Sequence, residues 1–471
     1  MFLSPLSRPF SGLIYFLQSS YNCRAHASVY SVVMNARQFT FCGIAACTAV
    51  MIINTPAQPL VVHEWGTFTS LQDETGRTLG AINTDDEPVP AFCHDLDWQL
   101  IAHPGELPPV LYKGVASCQP DVTMRLETPV IYFHLPSGAA SPLTASIKVA
   151  FRGGWLTQFY PAAETAGFAP KDTLTEAITG TLTWNDLKIG VGAKGPETSE
   201  RVWTAPRGVQ AASVTTPSGE SEQFLFYRGV GHLACPVQVR RTADGTTLEG
   251  LAHVGARLSN CQPMTVQHLW LASFRTGGVC AFRSLPPVNL DGATASQNQA
   301  ALFSVPARFS RNEYSAANLS QLRAKMRAAL QQEGLFLDEA EAFLNTWELS
   351  YFKNAGLRLF FMVPRAWTDS HLPLDVSVPC EIKRVMVGRL ELVTPEQRIL
   401  LRELAHATAP AKPWAYYEAS GNRSVLRGAM PPTYRDLGRF RNALLLDESQ
   451  AHPAPALKAF IHVNRLDASR R

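Results

Sequence analysis

Short runs of β-branched and aromatic residues, each bounded by proline or glycine, constrain the fold of this chain most strongly. They lie at residues 130–134, 146–151, 181–184 and 224–227. Runs of this length between turn-forming residues are typical of antiparallel sheets and of β-sandwiches. Residues 236–241 and 247–254 are predicted to form a hairpin around Asp244 and Gly245, because this dipeptide tolerates the positive φ of a tight turn.

The C-terminal third of the chain contains helical patterns. Apolar residues recur at helical spacing over residues 316–333 and 338–351. Asp338 and Glu341 resemble a capping pair at the start of the second of these helices. Residues 394–397 (TPEQ) place an N-cap, a first-turn proline and a third-position glutamine ahead of a helix over residues 398–407.

These patterns predict an α+β fold that is mainly β. Antiparallel, β-sandwich-like sheets are expected in residues 58–310, followed by a C-terminal helical and mixed segment, residues 311–471, packed on them. Two further strands are predicted inside that segment, over residues 357–363 and 382–393. A chain of 471 residues is long enough to bury a large core.

Residues 1–57 are predicted to be an over-extended gene start followed by a signal peptide that begins at Met34. After Met34 come a short basic segment, an apolar segment over residues 39–53 and a small-residue cleavage site that ends at Ala57. The apolar segment is shorter than the about 20 residues that span a bilayer. We therefore expect a periplasmic or secreted protein with no stable membrane span after cleavage. A lipid anchor at Cys47 is the alternative.

The charge balance argues against nucleic acid as a partner. The 42 basic and 39 acidic residues give a formal net charge of +3, and no basic block of the kind that follows a phosphate backbone is present. The nine tryptophans are candidate stacking platforms for sugars, although core packing explains most such residues. A small molecule or a glycan is the expected ligand class.

Six cysteines remain after cleavage at Ala57, and an even number in an oxidising compartment permits three disulfides. Sequence proximity favours pairing of Cys93 with Cys118 and of Cys235 with Cys261, whereas buried thiols are the alternative. The other two cysteines are Cys280 and Cys380. No Cys-x-x-Cys is present, so redox, haem-attachment and zinc-ribbon motifs are absent.

Residues 61–70 (VVHEWGTFTS) bring several functional groups into a short segment. His63 and Glu64 lack the second histidine of a helical zinc-protease motif. On a strand they face opposite sides of the sheet, so each needs a distant partner. Both are candidate catalytic residues, and the alternative is a buried histidine beside a glutamate paired with an arginine. Trp65 is a candidate ligand-binding residue.

Glu127 is a second candidate catalytic residue. It shares a strand face with Arg125, which is expected to pair with it and lower its pKa. Glu64 and Glu127 would suit a glycoside hydrolase if their carboxyl groups lay about 5–10 Å apart. The alternative is a structural ion pair between Arg125 and Glu127. Arg125 is also a candidate for ligand binding.

Two loops carry further candidate sites. Asp85, Asp86, His94 and Asp95 offer oxygen and nitrogen ligands to Ca²⁺ or Zn²⁺, although their spacing is not that of an EF-hand and a solvated acidic loop is the favoured interpretation. Residues 228–232 (RGVGH) place Arg228 as a candidate ligand-binding residue and His232 as a candidate catalytic residue, because the glycines allow close approach of a ligand. A tight turn explains the same pattern.

The chain resembles a group of bacterial exported proteins of unknown function that share a Val-His-Glu-Trp-Gly-Thr-Phe motif near the mature N-terminus. The matching segments are residues 62–70, 125–133, 226–229, 347–373 and 387–392. The resemblance covers most of the mature chain and implies a single exported unit. It implies no activity.

Two functions follow from these patterns. The first is a periplasmic or extracellular ligand-binding module, with Trp65, Arg125 and Arg228 at its site. The second is a glycoside or metal-assisted hydrolase that uses His63 and Glu64 together with Glu127 and His232. Gly-x-Ser-x-Gly, the phosphate-binding P-loop and the dinucleotide-binding glycine motif are absent from the sequence.

Overall fold

The structure is a computed structural model of the chain. It describes residues 59–83, 88–96, 111–112, 115–116, 118–136, 138, 142–168, 173–253, 264–275, 277–290, 300–406, 416–420, 423–427 and 432–463. Residues 57–471 form one compact unit. The expected signal peptide, the candidate metal ligands Asp85 and Asp86, and Cys261 lie outside the described residues.

The strands of the described part are β1 (Leu60–Gln72), β2 (His94–Asp95), β3 (Leu111–Tyr112), β4 (Val115–Ala116), β5 (Met124–His134), β6 (Leu143–Arg152), β7 (Gly154–Tyr160), β8 (Glu164–Ala166), β9 (Thr179–Ile189), β10 (Val214–Thr215), β11 (Ser221–Glu222), β12 (Leu225–Gly231), β13 (Val237–Arg241), β14 (Thr247–Ala252), β15 (Met264–Val266), β16 (Leu269–Phe274), β17 (Cys280–Leu285), β18 (Val288–Leu290), β19 (Phe303–Pro306), β20 (Gly356–Met362), β21 (Leu374–Val376), β22 (Cys380–Leu392), β23 (Tyr416–Ser420) and β24 (Arg423–Arg427). The α-helices are α1 (Arg201–Thr204), α2 (Ala316–Gln332), α3 (Leu337–Thr346), α4 (Arg365–His371), α5 (Pro395–His406), α6 (Pro432–Asp436), α7 (Arg441–Ala451) and α8 (Pro455–Val463). Among the described residues, no helix has the length and apolar character of a membrane span.

The predicted fold class is confirmed: the protein is α+β, mainly β, with antiparallel sheets and C-terminal helices. The main sheet has the order β11-β10-β9-β7-β12-β5-β1-β22-β20-β16-β17. β1 lies near its centre, antiparallel to β5 and parallel to β22. Strands from both of the regions expected from the sequence therefore hydrogen-bond within one sheet.

β1 is buried along its length because its two faces contact different layers. Val62 and Phe68 belong to a core cluster that also contains residues of β6 and β9. Trp65 lies on the opposite face, in a cluster with residues of α2 and α3. Leu71, farther along that face, belongs to a third cluster, which includes residues of α5, α7 and α8. We call this second face, which carries His63 and Trp65, the helical face of the sheet.

A bulge in β5 allows side chains on both sides of it to point to the helical face. Val130 lies opposite Trp65 before the shift, and Glu127 lies opposite Thr67 after it. The β1–β5 register shifts between Trp65 and Thr67, opposite Thr128, whose φ is +43°. A bulge inserts one residue and so changes which side chains face each side. Gly66 permits this arrangement, because a Cβ there would lie 3.0 Å from two atoms of Pro129.

Several predicted elements are present with small changes of boundary. The hairpin is β13 and β14, with a hydrogen bond from Gly245 N–H to Thr242 O at its turn. The helix predicted over residues 338–351 ends at Thr346 and is followed by a π-helical turn, Glu348–Lys353. The predicted capping pair of Asp338 and Glu341 is wrong. The residue before the helix is Phe336 and the third-position glutamate is Glu339, so the helix begins two residues earlier than that pair implies.

The cysteine positions do not match the expected Cys93–Cys118 disulfide, and the described part of the chain contains no disulfide. Cys93 lies in the cluster around Trp65, whereas Cys118 lies in the cluster around Leu71. Cys235 and Cys280 are buried thiols, and Cys380 is half-buried. Burial raises the pKa of Cys235 to about 12 and that of Cys280 to about 11.

Candidate metal centre

His63, His134 and Glu339 come together at one end of the helical face. His63 Nδ1 lies 2.7 Å from Glu339 Oε2, and His134 Nε2 lies 3.1 Å from Glu339 Oε1. One potential ligand atom from each residue lies within 4.8 Å of the other two. Two imidazoles thus converge on one carboxylate group.

The sheet register places the two histidines. His63 is opposite Tyr132 and His134 is opposite Val61, so the two imidazoles occupy diagonal positions on neighbouring strands, a separation that long side chains bridge. Their ring centroids are 5.0 Å apart. The regular alternation of a strand directs both side chains to the helical face.

Glu339 is placed by the first turn of α3. Its Oε2 atom accepts a hydrogen bond of 2.7 Å from Phe336 N–H, and this bond satisfies one of the amides that a helix start leaves without a partner. The carboxylate therefore has a fixed position before it contacts either histidine. A carboxylate in the first turn is also stabilised by the helix dipole.

The centre is almost enclosed and opens beside His134. Glu339 is fully buried and His63 is 2% exposed, whereas the His134 side chain is 14% exposed. Phe336, which is 48% exposed, packs on both imidazoles with centroid distances of 4.6 and 4.8 Å. An ion or small ligand would thus approach past Phe336 and His134.

The electrostatics of the centre favour an ionised Glu339. Burial alone raises the pKa of this carboxyl group, but hydrogen bonds from His134 and His63 outweigh burial and hold it below its usual value. Lys383, opposite His63 on β22, lies 2.9 Å from Glu381, and this pairing offsets the charge of the lysine. The site therefore offers an anionic oxygen and two nitrogen atoms.

This donor set suits a transition metal ion. Zn²⁺ binds histidine nitrogen and carboxylate oxygen at about 2.0–2.2 Å, so tetrahedral ligand atoms lie about 3.4 Å apart. The present contacts of 2.7 and 3.1 Å reach different oxygens of Glu339, and the three ligand atoms lie within 4.8 Å of one another, so a bound ion would require the side chains to adjust. Three protein ligands with a fourth position for water is the arrangement of catalytic zinc sites.

Glu64 faces away from this centre. On the other side of the sheet it accepts hydrogen bonds of 2.5 Å from Tyr227 Oη and from Arg384 Nε. Arg384 also contacts Asp369 at 2.9 Å. Burial, and then the charge of Glu64, raise the pKa of Tyr227 well above its usual value. Glu64 is therefore the anion of a buried structural network.

Glu127 lies on the helical face within an arginine-rich layer. It contacts Arg125 Nε at 2.9 Å and Arg439 Nη2 at 3.0 Å, which confirms the predicted pairing with Arg125. Glu64 and Glu127 project from opposite faces of the sheet, so they do not form the carboxylate pair of a glycoside hydrolase.

The candidate ligand-binding residues are enclosed in the core. Trp65, Arg125 and Arg228 have no exposed surface. The Trp65 ring packs against Phe343 and Tyr132, with centroid distances of 5.3 and 6.1 Å. Trp65 thus presents no ring face on which a sugar could stack.

The remaining candidates lie apart from the centre. His94 Nε2 is 2.9 Å from Glu220 Oε1, and its ring stacks on Phe159; Asp95 follows it on β2, which pairs with β7. His232 Nδ1 is 2.8 Å from the carbonyl oxygen of Asp121. Of the predicted catalytic residues, only His63 belongs to the centre.

Sequence reasoning missed His134 and Glu339. His134 ends a predicted strand and shares its face with Tyr132, but no local pattern relates it to His63. Glu339 is separated from His63 by 276 residues. A third-position glutamate at the start of a helix signals a cap, and nothing in that signal points to a histidine partner.

Comparison with known proteins leaves the family open. No family model matches the sequence, and a search of curated proteins finds no match. Among solved structures, the chain is similar to a Danio rerio Fcho1 Mu homology domain with bound Eps15 peptide, at 8% identity and a TM-score of 0.30. That match covers 72% of this chain and 98% of the other. A likeness this low supports no statement about fold or function.

Proposed function

We propose that this protein is an exported metal-binding hydrolase in which His63, His134 and Glu339 hold a transition metal ion of the zinc class. The observation that carries the proposal is the convergence of three ligand atoms within 4.8 Å, in a site formed by two strands and a helix start. A metal ion held by three protein groups supplies a water molecule of lowered pKa and a Lewis acid.

The surroundings of the centre support binding of a metal ion. Buried imidazoles and carboxylates lose hydration, and coordination of a cation compensates for this loss. Phe336 and the Trp65 cluster form an apolar shell around the polar groups, and such a shell restricts water access and strengthens electrostatic interactions. His134 is the most exposed of the three ligands, at 14%, so a substrate group would reach a fourth coordination position from its side.

The metal centre is better supported than a glycan-binding site at Trp65, Arg125 and Arg228. Those three side chains are buried, whereas a recognition site needs groups that a ligand contacts. The proposed export through the segment at residues 34–57 would place the centre in the periplasm or outside the cell. Its expected substrates are therefore extracytoplasmic molecules with a hydrolysable bond.

Cobalt substitution tests the proposal. The mature chain, starting at residue 58, would be stripped with a chelator and titrated with Co²⁺ while the visible absorption is recorded. We expect one equivalent of Co²⁺ to give the intense bands of a tetrahedral ion, and Zn²⁺ to remove them. H134N and E339Q should lose these bands.

A matched control separates the centre from general effects of mutation. Glu341 lies on the same helix and pairs with Arg327, so E341Q changes one charge on α3 without touching the centre. The bands should persist in E341Q. The proposal fails if wild type gives no bands, or if H134N and E339Q, folded by circular dichroism, keep them.

A further inference from the structure

A separate cavity of about 420 Å³ lies at the β16–β17 edge of the main sheet. Its wall includes the start of β20 and the first turn of α5. The volume falls within the range of small-molecule sites, about 300–1,000 Å³. No residue of the metal centre lines this cavity, so a ligand site here is independent of the proposed function.

Three arginines line the cavity: Arg241, Arg275 and Arg308. None of them has a carboxylate within ion-pair distance in the described part of the chain. Arg241 donates from Nη1 to the carbonyl oxygen of Gly245 at 3.4 Å, while its buried Nε makes no hydrogen bond to the described residues. The cavity is thus lined by three arginines whose charge is not neutralised by an ion pair within the described residues.

Arg275 has a fixed orientation. Its guanidinium carbon lies 3.6 Å from the centroid of the Tyr314 ring, and the Tyr314 hydroxyl is 2.8 Å from Ser273 Oγ. Stacking occupies the face of the guanidinium and leaves its edge for hydrogen bonds, the geometry with which arginine binds carboxylate and phosphate groups.

Apolar surface accompanies these charges. Phe274, Phe309 and Leu357 line the same cavity and are buried. A combination of aromatic side chains with a few charged groups is typical of sites that bind a ligand with an apolar body and a polar end.

Two carboxylates and the N-terminus of α5 also border the cavity, and neither feature determines which charge a ligand should carry. Glu396 and Asp436 also line the cavity, but both are exposed, and Asp436 pairs with Arg435 at 3.4 Å. The start of α5 is capped, since Gln397 N–H donates to Thr394 Oγ1 at 3.3 Å. Selectivity for an anion therefore depends on the arginines.

We infer that this cavity binds a small organic oxyanion, with the carboxylate or phosphate group on Arg241, Arg275 and Arg308 and an apolar body against Phe274 and Phe309. Burial lowers the pKa of Arg241 from its usual value, and a bound oxyanion would compensate for that burial.

Calorimetric titration of the mature protein tests the inference with phenyl phosphate, benzoate and benzyl alcohol. The first two probes carry the proposed oxyanions, and the third is a neutral molecule of similar size. We expect the anions to bind and the alcohol not to bind. R308Q and R275Q, which alter exposed arginines, should each weaken anion binding about tenfold, the usual effect of one charge-assisted hydrogen bond.

K325Q is the matched control, since it removes one positive charge from exposed Lys325 on α2, outside the cavity. Its affinity for the anions should equal that of wild type. Binding of only one anion class would support the inference and identify the group recognised. The inference is overturned if neither anion binds at about 10 mM, if benzyl alcohol binds equally well, or if R308Q and K325Q behave alike.

Discussion

Replacement of Glu64 by glutamine tests whether this residue is structural. Glu64 is fully buried and accepts one hydrogen bond on each carboxylate oxygen, from Tyr227 and from Arg384. Glutamine keeps one acceptor but turns an N–H group towards the other donor. It also leaves the Arg384 side chain, 1% exposed, with Asp369 as its remaining anion.

The expected cost follows from these contacts. Removing one member of a buried ion pair costs about 3–5 kcal/mol, because the other charge stays buried. Since Asp369 still contacts Arg384, we expect the lower limit, about 3 kcal/mol. D369N is the control: its carboxylate is 45% exposed, and loss of such a pair costs about 0–1 kcal/mol.

Urea denaturation followed by tryptophan fluorescence measures both effects. With a slope of about 3 kcal/mol per molar, E64Q should lower the midpoint by about 1 M and D369N by about 0.3 M or less. If E64Q unfolds within about 0.3 M of wild type, Glu64 is not held as a buried structural anion, and a catalytic role for it would have to be reconsidered.

Three further predictions test local parts of the structure. G66A should destabilise the protein by about 1–3 kcal/mol through overpacking against Pro129. G208A is the control and should leave stability unchanged, because a Cβ at Gly208 meets nothing within 4 Å. Equal effects of the two substitutions would contradict the bulge geometry. Because the pKa of Cys235 is raised to about 12, the unfolded state loses this proton first as pH rises. Stability should therefore fall above pH ~9, by up to about 1.4 kcal/mol per pH unit from this group, and C235A should reduce that slope. In native protein at pH 8, Cys235 should resist iodoacetamide because it is buried and protonated; rapid labelling would show that it is accessible.

Much of the fold is local in origin and is predictable from the sequence. The cap at residues 394–397 predicts the helix over residues 398–407, and α5 starts there with Thr394 and Gln397 in reciprocal hydrogen bonds. The opposite orientation of His63 and Glu64 follows from strand alternation alone. These features depend on neighbouring residues and on little else.

Other features depend on contacts between distant residues. The parallel pairing of β1 with β22 joins segments about 320 residues apart, and no hairpin signal exists for such a pair. The bulge at Thr128 changes the phase of β5, and a strict alternation read from the sequence misassigns one side of it. The metal centre depends on the same kind of distant contact, because Glu339 is separated from His63 by 276 residues.

Metal analysis of the purified mature protein tests the central claim most directly. Wild type, E339Q and E341Q would be produced in zinc-supplemented medium, desalted and analysed by inductively coupled plasma mass spectrometry. The proposed centre predicts close to one zinc ion per chain in wild type and E341Q, and little in folded E339Q. No transition metal in wild type, or the same content in all three proteins, would contradict it.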